Sequence, residues 1–440
     1  MKARNIAVLL FRSNQGAAAV IQTVIARFFT VAINLATGVI NARGLGAVGR
    51  GEMSVLVLWP GLLASLLTLG MPAAIRYWVR RDPARQREFF TVALGVSAVM
   101  SIITVAIGFF FVPSWLHNYS PQIVREAQIL MFMALVLLPS LVLSAMLEGI
   151  QDFRSANVTR YIPPAITLVA LCVLVSNHSL TPFMSALAYM LPVVPVAAWK
   201  FWKLRKNYKC SSFDRWPPLQ LLGSYGIRSY GIDVLSTLGG QIDQVLVIAL
   251  LSASNVGVYV VALNASRVLT LLTASVVTVL LPSASGLDKE GAVEIVTRSA
   301  RISTAIAATL GLALVAVYPV IFPLFYGRAF SQAVSVAQLL TLEAVLFGAV
   351  DVLAQAFMAL GRPGFVTALQ SIGLMIVFPA MLLFLPHFGL LGAAMALLTS
   401  TTVRLIFVLW SYPMFLKIPM PNLILRKDDF VRVRRLFFRL

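Results

Sequence analysis

GAAAVIQTVIARFFTVAINLATGVI, residues Gly16 to Ile40, is a long apolar run with one arginine in its middle. As a helix it is long enough to cross the roughly 30 Å hydrocarbon core of a bilayer. An ionised guanidinium at that depth costs from roughly a few to more than ten kcal/mol, so such a residue usually faces a protein interior or a wet cavity. Arg27 therefore predicts a membrane protein that handles something anionic.

Composition agrees on the membrane. The chain of 440 residues is 59% hydrophobic and 12% charged, with a mean hydropathy of +0.89, well outside the soluble globular range. Cys172 and Cys210 supply neither a disulfide framework nor a thiolate metal site. His117, His178 and His387 sit far apart in short connectors, which argues against a metal cluster. No metal and no cofactor are expected. MKARNIAVLLFRSNQG at the start has an apolar core of signal-peptide type, but it is short and no cleavage site follows. It reads better as an interfacial helix leading into a first, uncleaved span.

Apolar segments of spanning length fall near 17–40, 53–78, 88–112, 124–148, 159–177, 181–201, 223–250, 255–281, 299–322, 334–359, 364–386 and 388–412, which predicts an all-α polytopic protein of about twelve helices. Pro163, Pro164, Pro192 and Pro195 are expected to kink the fifth and sixth. Positive charge then chooses the orientation. One set of connectors holds Lys2, Arg4 and Arg12; Arg80, Arg81, Arg85 and Arg87; Arg154 and Arg160; Lys203, Arg205, Lys206, Lys209 and Arg215; Lys289, Arg298 and Arg362; and the tail from Arg426 to Arg439. The opposite set holds little beyond Arg43, Arg50, Arg125 and Arg328. Both termini are thus expected in the cytoplasm, with the chain in the cytoplasmic (inner) membrane. This bias accounts for most of the net charge of +19, and the aromatic–basic interleaving of a single-strand binder is missing, so nucleic acid is not an expected partner. The tail RKDDFVRVRRLFFRL reads equally as an amphipathic helix on anionic lipid and as a solvated stop signal.

The halves echo one another at an offset of about 210 residues: Leu147–Phe153 after the fourth span with Ala359–Phe365 after the tenth, Met71-Pro72 with Leu281-Pro282, Ala47-Val48-Gly49 with Asn255-Val256-Gly257. Their common order favours an internal duplication. The expected organisation is an N-terminal six-helix lobe at 1–204, a basic linker at 205–221, a second lobe at 222–413 and a basic tail at 414–440, a common transporter plan with the site near mid-bilayer. Gly44–Gly49 matches G-x-G-x-x-G by letter, but that fingerprint needs a strand before it and a soluble βαβ unit. With no Walker A lysine loop, ATP is not the expected direct energy source.

Several spans carry polar groups. On the first, Arg27, Asn34 and Asn41 recur every seven residues with Thr30 and Thr37 between them, one stripe at 3.6 residues per turn. The second carries Arg76. The seventh has Ser229, Asp233, Ser236, Gly240 and Asp243 on a broad face with Arg228 at its edge, and the eighth has Arg267 at mid-depth. Glu343 and Asp351 lie on the tenth, and Arg404 on the twelfth. Acids and bases in the second half can neutralise one another, Asp243 with Arg267 for example, and Arg27 can reach an acid across the lobes. Arg76 and Arg404 lie close enough to helix ends to snorkel. Glu148 and Arg154, at a helix end, read as surface or hinge residues. No nucleophile–base pair or paired carboxylates mark an enzyme.

The stretches ARFFTVAINLATGVINARGLGAVGRGEMSVL (Ala26–Leu56), LTLGMPAAIRYWVRR (Leu67–Arg81), LEGIQDFRSAN (Leu147–Asn157) and GGQIDQVLV (Gly239–Val247) resemble the multidrug/oligosaccharidyl-lipid/polysaccharide (MOP) flippase superfamily, in its Wzx-like O-antigen flippase branch. The resemblance implies two six-helix lobes in a V and alternating-access flipping of an undecaprenyl-pyrophosphate-linked oligosaccharide. Membrane lipids and polysaccharide polymerase or export components are the implied partners. On that reading Arg27, Arg267, Arg76 and Arg228 hold the pyrophosphate through charge-assisted hydrogen bonds, and Asn34 and Asn41 contact sugar or headgroup. Asp243, Glu343 and Asp351 are candidates for ion coupling. A MATE-type drug–cation antiporter, a lipid II flippase and a non-transporting scaffold are the alternatives.

Overall fold

In a computed structural model, residues 14–206 and 216–425 are described, with side chains from Thr30 onward except at positions 206 and 216. The expected interfacial segment before Asn14, the linker cations Lys209 and Arg215 and the tail from Arg426 lie outside the described residues, as does the Arg27 side chain.

Helices account for nearly every described residue. They are α1 (Asn14–Leu66), α2 (Met71–Arg81), α3 (Gln86–Trp115), α4 (Pro121–Leu130), α5 (Ala134–Gly149), α6 (Phe153–Ser176), α7 (Pro182–Met190), α8 (Val193–Lys206), α9 (Trp216–Leu250), α10 (Ala253–Ser266), α11 (Thr270–Ala284), α12 (Lys289–Ile321), α13 (Ala333–Ala359) and α14 (Pro363–Ser411). Ten helical runs among the described residues are long and apolar enough to cross a membrane. Two of them are each a pair of helices joined at a glycine with non-helical backbone: Gly46 in α1 (φ 68°, ψ −174°) and Gly389 in α14 (φ 55°, ψ −132°). Ten runs with two such joints give twelve segments, all but the second close to the places hydropathy puts them.

Local chemistry sets the ends. Ser120, Asp152, Thr181 and Asp288 are N-caps whose side chains accept from Ile123, Ser155, Met184 and Gly291 amides respectively, each satisfying a donor the first turn leaves orphaned. Pro163 and Pro164 stay inside α6, whereas Pro192 falls in the turn between α7 and α8. The second span departs from expectation. It breaks at 67–70, where Leu69 and Gly70 take left-handed φ of 50° and 69°, and resumes as α2. The Tyr230 hydroxyl of α9 donates to the Leu66 carbonyl that the break frees, the kind of internal satisfaction a membrane helix needs.

By packing, the described chain divides within α1 and α10 into a unit of residues 32–260 and a second unit that joins the start of α1, up to Val31, to the chain from Val261 onward. The first unit's core joins α2, α3 and α5 through Met71, Ile75, Val79, Phe89, Met146 and Leu147. The second is built on α11 to α14 around Leu280, Val296, Leu353, Phe357 and Tyr412, with the Tyr412 hydroxyl donating to the Leu353 carbonyl at 2.9 Å.

Two crossings in the first unit depend on missing side chains. A Cβ on Gly70 would stand 2.2 Å from the Gly226 carbonyl oxygen, so α2 meets α9 backbone to backbone. Just past the Gly46 joint of α1, a Cβ on Gly51 would meet the Ala253 oxygen at 1.7 Å, and one on Gly257 the Ala47 oxygen at 2.0 Å. These two contacts are reciprocal, because Ala253 and Gly257 each follow their counterparts Ala47 and Gly51 by the same 206 positions. Each helix thus brings a small residue four positions from its glycine against the other's backbone, the close approach a small-xxx-small pair allows.

Candidate functional site: a cationic cavity beside a broken helix

The break in the second span has a polar consequence. Ser65 and Thr68 before it, and Pro72 and Arg76 after it, line a cavity of about 410 Å³ closed by α5, α6, α8 and α9. From α5 come Ser144 and Glu148, from α6 Thr159 and Arg160, from α8 Lys200, and from α9 Asp233, Ser236 and Thr237. All of these belong to the first unit, at the end where the basic connectors 80–87, 150–160 and 203–205 emerge.

Glu148 organises the guanidinium groups. Its Oε2 accepts from Arg76 Nη1 at 3.0 Å and its Oε1 from Arg160 Nη2 at 3.3 Å, so one carboxylate bridges α2 and α6. Close packing makes this reachable: a Cβ on Gly149 would touch the Val79 side chain at 3.2 Å. Lys200 is bound differently. Only 5% exposed, its Nζ donates to the hydroxyls of Ser144 at 2.8 Å and Ser140 at 3.2 Å. A buried ammonium held by neutral hydroxyls keeps its charge available to an incoming anion, whereas one neutralised by a carboxylate does not.

One turn outward, Lys203 meets Asp152 at 2.6 Å and also donates to Ser155. Burial pushes the Asp152 carboxyl up. The hydrogen bonds from Lys203 and Ser155, with the Lys203 charge, outweigh that and hold it below the ordinary carboxylate value. A second, open hollow of about 640 Å³ shares Arg76 and adds Arg80, Arg81 and the stacked rings of Tyr77 and Tyr225, 4.5 Å apart.

Of the residues expected to bind substrate, Arg76 lines this cavity. Arg228 is exposed on α9 and is not among its lining residues. Asn34 is exposed, whereas Asn41 is buried, donating to the Tyr189 hydroxyl at 3.3 Å and accepting from Ser185. Asn41 is thus committed to interhelical bonds. Arg267 is exposed in the second unit, on a short 3₁₀ turn between α10 and α11. Arg27 lies on α1, its side chain outside the described residues.

The carboxylates expected to couple ions are not brought to one place. Asp243 is buried in the first unit and accepts from the Tyr259 hydroxyl at 2.7 Å. Glu343 and Asp351 lie on α13 in the second unit, where both interact with the charge of Arg404. Thr401 donates to Glu343 at 2.6 Å, and the Arg404 guanidinium lies 5.3 Å from the centre of the Phe347 ring. Arg404, on α14, is half-buried and under the charge of Glu343 and Asp351 rather than extended to a helix end.

Glu148, Arg160 and Lys200 were not singled out as binding residues from sequence. One signal pointed to them. Ser140, Ser144 and Glu148 recur every four residues in an otherwise apolar helix, a polar stripe of helical period.

A family model described as polysaccharide biosynthesis protein matches residues 17–287, more than half of the chain and all of the cavity. The chain belongs to the polysaccharide biosynthesis protein family. No curated protein matches it in sequence. Among solved structures, this family member is similar in fold to the lipid II flippase MurJ in an inward closed conformation, with a TM-score of 0.73 and 15% identity over 93% of this chain and 89% of that one. It is also similar to an inward-facing MATE-family multidrug resistance transporter of the MOP superfamily, with a TM-score of 0.70 and 16% identity over 90% and 98%. A third is the MATE multidrug transporter DinF-BH, with a TM-score of 0.63 and 14% identity over 91% and 95%. The polysaccharide biosynthesis family member is a multi-pass membrane protein that shares the fold of these structures.

Proposed function

We propose that this protein translocates a lipid-linked oligosaccharide, its lipid and glycan joined by a pyrophosphate, from the cytoplasmic to the outer leaflet of the cytoplasmic membrane. It works by alternating access of two six-helix lobes, with both termini cytoplasmic. The observation that carries this reading is Lys200, a buried ammonium on neutral hydroxyls beside two guanidinium groups. Three cations and two carboxylates line the cavity, a balance that suits an anionic head rather than the cationic substrates of a drug antiporter. Guanidinium groups match phosphate oxygens in pairs and the lysine adds a point charge. Arg80, Arg81 and the Tyr77–Tyr225 pair extend the polar surface outward, where a glycan has room, and the prenyl chain stays in lipid. Membership of a polysaccharide biosynthesis family supports the glycan part of the reading.

The test replaces the wild-type gene with Lys200→Met at matched protein level. Methionine keeps the length and apolar stem of the side chain and removes the charge. Lipid-linked glycan should accumulate on the cytoplasmic face, with surface polymer reduced at least about tenfold, the equivalent of one charge-assisted hydrogen bond. Normal surface polymer would overturn the assignment.

A further inference from the structure

We infer that Glu148 is a tethered stand-in for the substrate's phosphate, holding Arg76 and Arg160 in the empty protein and giving them up when a pyrophosphate arrives. The inference rests on the anion-binding reading above and adds the step by which the site loads.

Glu148 has the geometry of a ligand. Its two oxygens go to two different guanidinium groups, on α2 and α6, as two oxygens of one phosphate would. It lines the cavity with Lys200, whose two bonds go to hydroxyls on α5, Glu148's own helix. Its place in the helix is a poor one for a carboxylate. Glu148 is the penultimate residue of α5, where the negative end of the helix dipole opposes it. The two arginines therefore supply what holds it, and losing them to a stronger anion leaves it no local reason to stay.

Charge decides between exchange and simple addition. The cavity is lined by Arg76, Arg160 and Lys200 against Glu148 and Asp233. A pyrophosphate diester is doubly anionic. If it enters while Glu148 stays, the set carries a net negative charge beside the buried Lys200. If it replaces Glu148, the set is neutral. Glu148 is 23% exposed, so its side chain can turn toward water as the anion enters. The carboxylate keeps the empty cations paired at the helix end, and it sets a threshold that a weak, singly charged anion does not cross.

The experiment measures binding of a doubly anionic diester, farnesyl-pyrophosphoryl-N-acetylglucosamine, to the purified full-length protein, with inorganic pyrophosphate and farnesol as comparison ligands. Saturable binding by wild type, tightened about three- to tenfold in Glu148→Gln, is the expected result. Glu148→Asp, too short to reach both guanidinium groups, should tighten in the same direction and serves if the glutamine variant does not fold. Binding by the variants but not by wild type also supports exchange. Farnesol should not bind, and inorganic pyrophosphate binding as tightly as the prenylated probe would assign the site to the free anion. Wild-type binding that is unchanged or weaker in both variants would make Glu148 a structural clamp and overturn the inference alone. If wild type and both variants all fail to bind, the proposed function falls with it.

Discussion

Asp152 shows how one residue ties a helix start to a charge outside the membrane. It caps α6 through the Ser155 amide at 3.1 Å and pairs with Lys203 on α8, and its carboxyl is held below the ordinary value. A depressed carboxylate stabilises the fold above its unfolded pKa of about 3.9 and loses that contribution as pH falls through the lower, folded value. Asp152→Asn should therefore lower the melting temperature in detergent by an amount that is constant from neutral pH to about 5 and shrinks in stronger acid. The difference should not exceed about 1 kcal/mol, because the pair is partly exposed and screened. A gap that widened on acidification would contradict the pairing. At this same scale the sequence was least legible. Asn34 and Asn41 share a stripe, yet one is exposed and the other is taken up by Tyr189 and Ser185. Helical period says which residues share a face and nothing about what that face meets.

Among elements, the broken second span is the unusual one. Hydropathy runs smoothly through Leu66–Met71, so nothing in its average marks an interruption. The mark is Gly70, since a left-handed backbone costs a residue with a Cβ roughly 1–2 kcal/mol and Gly70 also touches the Gly226 backbone. Gly70→Ala should destabilise the protein by at least about 2 kcal/mol, strain and clash together, read as a lower melting temperature. Gly95→Ala on α3 is the control. Nothing lies within 4 Å of a Cβ there, so stability should hold or rise by about 0.5–1 kcal/mol through helix propensity. Equal losses in both would mean that the α2–α9 crossing is not tight. The break also places Ser65, Thr68 and Arg76 on one cavity wall, as interrupted helices do at transporter sites.

At the scale of the molecule, orientation rests on charge. Basic residues crowd one set of connectors because moving them across the membrane is unfavourable during insertion. With the native cysteines Cys172 and Cys210 replaced, Arg85→Cys should react with an impermeant thiol reagent only from the cytoplasmic side, and Arg125→Cys only from outside. The reverse pattern would invert the topology and put the cavity at the outer end. The reciprocal contacts of Ala47 with Gly257 and Gly51 with Ala253 belong to this scale as well, since they relate two distant stretches by one shift in sequence.

Membrane residence, the twelve helical segments, the basic-connector pattern and the superfamily resemblance could all be read from the chain, because hydropathy, helical period and charge bias are properties of short consecutive stretches. The cavity could not. Glu148 faces Arg76 and Arg160 because α5 packs between α2 and α6, and Lys200 is buried because Ser140 and Ser144 turn toward α8. Arg404 comes under the charge of Glu343 and Asp351 because α14 lies along α13. Which charges meet depends on which helices are neighbours, and neighbours come from close packing at residues such as Gly70 and Gly149, which carry no charge themselves.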